Sequence, residues 1–161
     1  MSLPDPITRT HPIAPRPSHA GTPSPGPERP SAVPAAGMAR VLVCENLPGT
    51  DSPTVTAVRA LGFHAWSCAT LADALRETSV TTVDLVIAVL PGADDGRFSM
   101  LQLLRRAQPT LPVMLISEDG SLGMRARIQP MRPYYFAVPP VREDELREAI
   151  EGALLRRPTR D

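Results

Sequence analysis

The chain contains no lysine, and all seventeen of its basic residues are arginine. Any mechanism that needs a lysine ammonium is therefore closed to it. Cysteine is scarce as well. Cys44 and Cys68 are the only two, which suits a reduced thiol inventory better than a disulfide framework. No apolar run approaches the roughly eighteen residues needed to cross a bilayer, and no membrane partner is expected. The N-terminus lacks the apolar core of a secretion signal, so a cytoplasmic location is expected. Nor is there an excess of one charge, because seventeen acids balance the seventeen arginines. No global basic field draws the chain to nucleic acid. At 161 residues it is expected to hold one domain with a tail.

Proline divides the chain. Ten of the twenty prolines fall within residues 1–37, among Ser, Thr, Gly and Ala. Such a stretch has too little apolar surface to offset its ordering entropy, and it reads as a disordered tail with polyproline II character. Pro12–Pro15 and Pro27–Pro30 have the PxxP spacing that docks in aromatic grooves, although a proline-rich tail produces that spacing by chance. An alternative reading starts the protein at Met38, directly before the first strand pattern. Residues 38–157 then form the domain, and 158–161 a short C-terminal tail.

From Arg40 onward strand and helix patterns alternate. Arg40–Cys44, Phe63–Cys68, Asp84–Leu90, Pro112–Ile116 and Tyr134–Val138 are short apolar runs that read as strands. Helices are expected over Ser52–Leu61, Thr70–Glu77, Arg97–Ala107 and Arg142–Arg156. Ser52 can cap the first of these and Gly62 can end it. Thr70 and Asp73 have capping-box spacing. In the third helix Phe98, Leu101 and Leu104, with Met100 and Leu103, make a broad apolar face. In the last, Leu146, Ile150, Ala153 and Leu154 form a stripe. Gly120, Gly123 and Pro130 leave room for only one or two helical turns around Leu122–Ile128. Five such strands alternating with helices imply an α/β fold with helices on both faces of a parallel sheet. The expected architecture is flavodoxin-like, (βα)5, doubly wound, with strand order 2-1-3-4-5.

The segments RVLVCEN, RALGFHAWSCA, DLVIAVLPGADDG, LPVMLIS and YYFAVPP stand in that order. Together they resemble the receiver domain of bacterial response regulators, over Arg40 to about Arg156. The resemblance implies phosphoryl transfer to an aspartate, with Mg²⁺, an acidic pair, a hydroxyl and a lysine around it. Carried over residue by residue, the acidic pair falls on Glu45 and Asn46, the phosphoacceptor on Val89, the hydroxyl on Ser117 and the lysine on Val138. The aromatic that rotates on activation falls on Tyr135. One carboxylate of two remains, and neither nucleophile nor lysine. The chain therefore reads as a degenerate pseudo-receiver, in which apolar side chains at 89 and 138 fill the site and exclude an ion.

That reading implies a non-catalytic module of two-component, phosphorelay-type signalling, with no cofactor and no metal. It would bind a protein partner through the face of the fourth helix, fifth strand and fifth helix, or pair with a second copy. Tyr134, Tyr135 and Phe136 would form an aromatic cluster there. No helix-turn-helix follows the last helix, so direct contact with nucleic acid is not expected. The alternative is an atypical receiver responding to phosphate, metal or a small ligand through Glu45 and Asp94 or Asp95. Glu45 alone is a weak cation ligand, and the bland reading makes it an unpaired rim carboxylate. Asp94 and Asp95 also read as a solvated turn. Ser117 can be merely a cap. A nucleotide or flavin enzyme is a third class, but ENLPGTDSP lacks the glycines and hydroxyls that cradle phosphate. Cys44 and Cys68 end neighbouring strands, either as structural thiols or as a redox pair. His64 and Trp66 lie on the second strand, where a lone His reads as packed rather than functional. Arg105, Arg106, Arg125, Arg127 and Arg132 form either a solvated face or a basic patch.

Overall fold

β1 (Arg40–Cys44) has the sequence RVLVC and buries all but its first residue. β3 (Leu85–Leu90) and β4 (Val113–Ser117) are similarly continuous apolar runs, as strands covered on both faces require. β2 (His64–Cys68) and the short β5 (Tyr135–Ala137) are more mixed. The five strands pair in parallel in the order β2-β1-β3-β4-β5, which places the two mixed strands at the edges and matches the flavodoxin-like expectation. A computed structural model describes residues 39–47, 52–92 and 95–156. The proline-rich stretch 1–37, Met38, Asp94 and 158–161 lie outside the described residues.

Helices α1 (Pro53–Ala60), α2 (Leu71–Val80), α3 (Asp95–Ala107), α4 (Leu122–Ile128) and α5 (Glu143–Leu155) alternate with the strands. Their starts follow local chemistry. The Ser52 hydroxyl accepts the Val55 N–H at 3.0 Å, Thr70 accepts from Asp73 at 3.0 Å, and Ser121 accepts from Met124 at 3.1 Å. Thr70 also donates to the Asp73 carboxylate at 2.7 Å. α1 ends where Gly62 takes a φ of 93°, a region that side chains avoid. α2 continues past Glu77 to Val80, and the Thr78 and Ser79 hydroxyls in its last turn bond back to the Leu75 carbonyl. α4 is brief and passes into a 3₁₀ turn, Gln129–Met131, that closes on Arg132 with φ 47°.

Alternation along the strands splits the core in two. Val41, Val43, Leu85, Ile87, Met114 and Ile116 face α1 and α5, where Val58, Leu146 and Ile150 pack against them. Leu42, Val86, Ala88, Leu90, Val113 and Leu115 face the other way, toward Leu71 of α2, Leu101 and Leu104 of α3, and Met124 of α4. The α5 stripe is buried as expected, and so are Phe98, Leu101 and Leu104. Leu103 departs from the expectation and stays 47% exposed, because the buried arc of α3 does not extend that far round the helix.

Candidate functional site

The carboxyl ends of the parallel strands bring the sequence-assigned residues to one end of the sheet. Glu45 follows β1, Val89 is the penultimate residue of β3, Ser117 ends β4, and Val138 follows β5. Glu45 is half-buried, and its N–H donates to the Cys68 carbonyl at 3.2 Å. Its carboxylate accepts the Ser52 hydroxyl, while the same Ser52 oxygen caps α1. Ser52 is only 3% exposed. Glu45 is therefore not an unpaired rim carboxylate. It is tied through one hydroxyl to the start of α1. Ser52 was visible in the sequence as a cap, but its second partner lies across a loop and carries no local signal.

Between these residues lies a cleft of about 400 Å³, with Glu45, Thr54, Val89, Ile116, Glu118 and Pro139 among its walls. Val89 is half-buried and packs on the α1/α5 core. It forms a wall and leaves the space beside it open. Val138 does not enter the cleft. β5 stops at Ala137, and Val138 turns outward, 40% exposed. A Cβ added at Gly120 would stand 2.9 Å from its Cγ2, so the bare glycine is what lets the valine lie against the β4–α4 loop. The expectation that Val89 and Val138 together fill the site is corrected accordingly.

Ser117 is fully buried, and its hydroxyl accepts the Asp119 N–H at 3.2 Å. It caps the loop, while Ser121 caps α4. The Ser121 N–H bonds Asp119 at 2.9 Å and holds that carboxyl below its ordinary range. Asn46 is exposed at the rim. The backbone of Asp95 opens α3. Among the described residues, no group of three or more His, Cys, Asp or Glu side chains is placed to hold a metal ion. Mg²⁺ needs several hard oxygen ligands. Glu45 is engaged by Ser52, Glu118 is the other acid on the cleft wall, and Val89 has no side-chain oxygen, so the described side chains fall short of the ligand set that ion needs.

Tyr134, Tyr135 and Phe136 do not form one cluster. Within β5 the two-residue period sends Tyr135 toward the α1/α5 core and Phe136 toward the opposite one, while Tyr134, just before the strand, also packs on the α1/α5 side. The Tyr135 hydroxyl donates to Glu145. That bond, with burial and the nearby acids, pushes the phenol above its ordinary range. The ring of Tyr134 lies under Arg156 at 5.6 Å and against Gly152. Of the arginines, Arg105 and Arg132 line one small pocket together with Arg156. Arg105 donates to the carbonyls of Met131 at 3.0 Å and Leu111 at 2.7 Å. Arg125 lies 5.1 Å over Phe136, and Arg127 lies 4.5 Å over Phe98. His64 is exposed on the edge strand rather than packed, its ring 5.5 Å from that of Trp66.

A second cleft, of about 340 Å³, opens on the other side of Val89. It runs between the ends of β1 and β3 and the helices α2 and α3. Cys44, Thr70, Ala88, Arg97 and Met100 are among its walls. Cys44 pairs in register with Cys68 across β1 and β2.

No protein-family model matches the chain. Over 116 residues it is 25% identical to the transcriptional regulatory protein GlrR of Escherichia coli K12, a match covering 72% of this chain and 26% of that protein. The chain thus spans about a quarter of the length of the curated relatives it matches. A pilus assembly-related protein from Burkholderia pseudomallei superposes with a TM-score of 0.70 at 17% identity, covering 79% of this chain and 97% of that one. A CheY-like response regulator receiver domain protein from Methanospirillum hungatei gives 0.65 at 16%, covering 74% and 95%. With five parallel strands in the order 2-1-3-4-5 and five α-helices around them, the chain has the CheY-like fold of response-regulator receiver domains.

Proposed function

We propose that this chain is a receiver-like protein-interaction module of two-component type that acts without aspartyl phosphorylation. The observation that carries the reading is the end of β3. Where the resemblance puts the phosphoacceptor stands Val89, which has no nucleophilic atom. The surroundings agree with it. The one carboxylate left from the acidic pair is bonded to Ser52, and no lysine exists to stabilise a phosphoryl charge. Magnesium has too few oxygen ligands there. A regulator built this way works by binding, with no reaction of its own.

The binding surface in this reading is the α4–β5–α5 face. β5 is a sheet edge, and Leu122 at the start of α4 is 84% exposed. Tyr135, bonded to Glu145 of α5, joins the strand to the last helix beneath that face. A second copy of the chain is one occupant, and a concentration-dependent mass in light scattering is its signature.

The test is an amide NMR titration of the full chain with Mg²⁺, then with Mg²⁺ and beryllofluoride, which mimics an aspartyl phosphate. The expected result is no saturable shift at Glu45, Val89 or Ser117. A saturable response there that spreads to Tyr135 overturns the reading, because an acid would then be doing the work assigned to none.

A further inference from the structure

Cys44 and Cys68 lie outside the cleft discussed above, and nothing in the proposed function uses them. They are directly opposite each other in the parallel pair β1–β2. Neighbouring strands run about 4.8 Å apart, inside the roughly 4.4–6.8 Å between Cα atoms that a disulfide requires. Both side chains are on the same face of the sheet, Cys44 within the α2/α3/α4 core and Cys68 packed against it. The two thiols are free, and the Cys68 S–H donates to the Thr70 carbonyl at 3.5 Å.

The pair is asymmetric. The neighbouring Cys68 side chain holds the Cys44 thiol below its ordinary range, against burial, and the positive charge of Arg97 acts in the same direction. The neighbouring Cys44 and burial push Cys68 up. Cys44 is only 5% exposed, yet it forms part of the wall of the 340 Å³ cleft, beside Ala88, Met100 and Arg97. That volume is roughly ten times the share of one water molecule in the liquid. A small oxidant fits easily, and Arg97 brings a positive side chain to the same wall.

We propose that Cys44 and Cys68 form a dithiol site that hydroperoxides oxidise to an intramolecular disulfide, with Cys44 as the attacking sulfur and Cys68 as the resolving one. The Cys44 thiolate attacks one peroxide oxygen. The O–O bond breaks, the departing alkoxide or hydroxide takes a proton, and Cys44 becomes a sulfenic acid. The Cys68 sulfur then attacks the sulfenyl sulfur, forming the S–S bond. Its proton leaves with the displaced hydroxide as water. In sum, two thiols and one hydroperoxide give one disulfide, one alcohol (or water) and one water. The product cross-links the edge strand β2 to the central strand β1.

The full reduced chain is treated with one equivalent of hydrogen peroxide, quenched by alkylation and weighed intact. The expected result is a loss of about 2 Da per chain, the mass of two hydrogens, reversed by dithiothreitol. Trypsin should then yield the peptides 41–59 and 60–76 joined, since Arg40, Arg59 and Arg76 bound them. Chains that keep both thiols alkylatable, or that add oxygen or link to one another instead, overturn the proposal. This measurement needs no variant. Cys68→Ser should stop at a Cys44 sulfenic acid trapped by dimedone, and Cys44→Ser should react about tenfold more slowly than the wild type. Reaction of Cys44→Ser at the wild-type rate overturns the assignment of Cys44. Neither result bears on beryllofluoride binding in the other cleft, so the two readings fail separately.

Discussion

Two clefts have Val89 as a common wall, one under α1 and α5 and the other under α2 and α3. In the first, the polar groups answer to one another. Glu45 takes the Ser52 hydroxyl, Ser52 caps α1, and Ser117 is fully buried nearby with its hydroxyl on the Asp119 amide. In the second, Cys44 and Arg97 share the wall, with Cys68 opposite Cys44 on the neighbouring strand. One fold thus places side by side a site whose polar atoms serve its architecture and a site that keeps a polarisable, ionisable pair. The resemblance to receivers directs attention to the first, and the chemistry still available directs it to the second.

The comparison can be broken or sharpened by substitution. The largest effects are expected from the two cores behind the clefts. Ile87→Ala on the α1/α5 face and Leu115→Ala on the other should each cost about 3 kcal/mol in urea unfolding, since both side chains are almost fully buried. A clearly smaller loss on one side would mean that its cleft is walled by a softer layer. Val89→Asp comes next. It puts a carboxylate against the α1/α5 core with no partner in place, and about 2 kcal/mol should be lost. The variant should remain silent to beryllofluoride, because no lysine accompanies the new acid. A saturable response would show that the nucleophile alone had been missing.

Ser52→Ala should cost about 1–2 kcal/mol, because one hydroxyl both caps α1 and satisfies Glu45. Thr70→Ala at the second cleft should cost about 0.5–1 kcal/mol, its hydroxyl being exposed. Equal losses would mean that the Glu45–Ser52 bond adds nothing. The smallest effect belongs to Tyr135. Its phenol is raised by the bond to Glu145, so the folded state holds the proton more tightly than the unfolded one. The resulting stability is complete below the ordinary tyrosine pKa of about 10 and is lost as pH rises beyond it through the folded value. Phenolate absorbance followed against pH should show one late-titrating tyrosine, and Tyr135→Phe should remove it.

Much of this was legible along the chain. The strands at Val41–Cys44, Leu85–Leu90 and Val113–Ile116 announce themselves because a strand buried on both faces must be apolar throughout. Ser52, Thr70 and Gly62 marked helix ends because caps are local. The site was legible only as identities, since Val89 and the absence of lysine can be read off directly. Its geometry was not. The Ser52–Glu45 bond, the turn of Val138 onto Gly120 and the two carbonyls held by Arg105 all join residues that no periodicity brings together. Tyr134, Tyr135 and Phe136 misled as a run, because Tyr135 and Phe136 are neighbours in a strand and point to opposite faces.

β1 lies inside the sheet, paired with β2 on one side and β3 on the other. Both partners are the next strands in the chain. A polypeptide emerging from its N-terminus can therefore assemble β2-β1-β3 with α1 and α2 before β4 and β5 exist, and each later strand only adds to an edge already made. Because β1 must wait for β3 across the whole of β2 and α2, this first step closes the longest loop between paired strands and should be the slow one. Once it is complete, growth proceeds one strand at a time toward β5, the order in which synthesis supplies them.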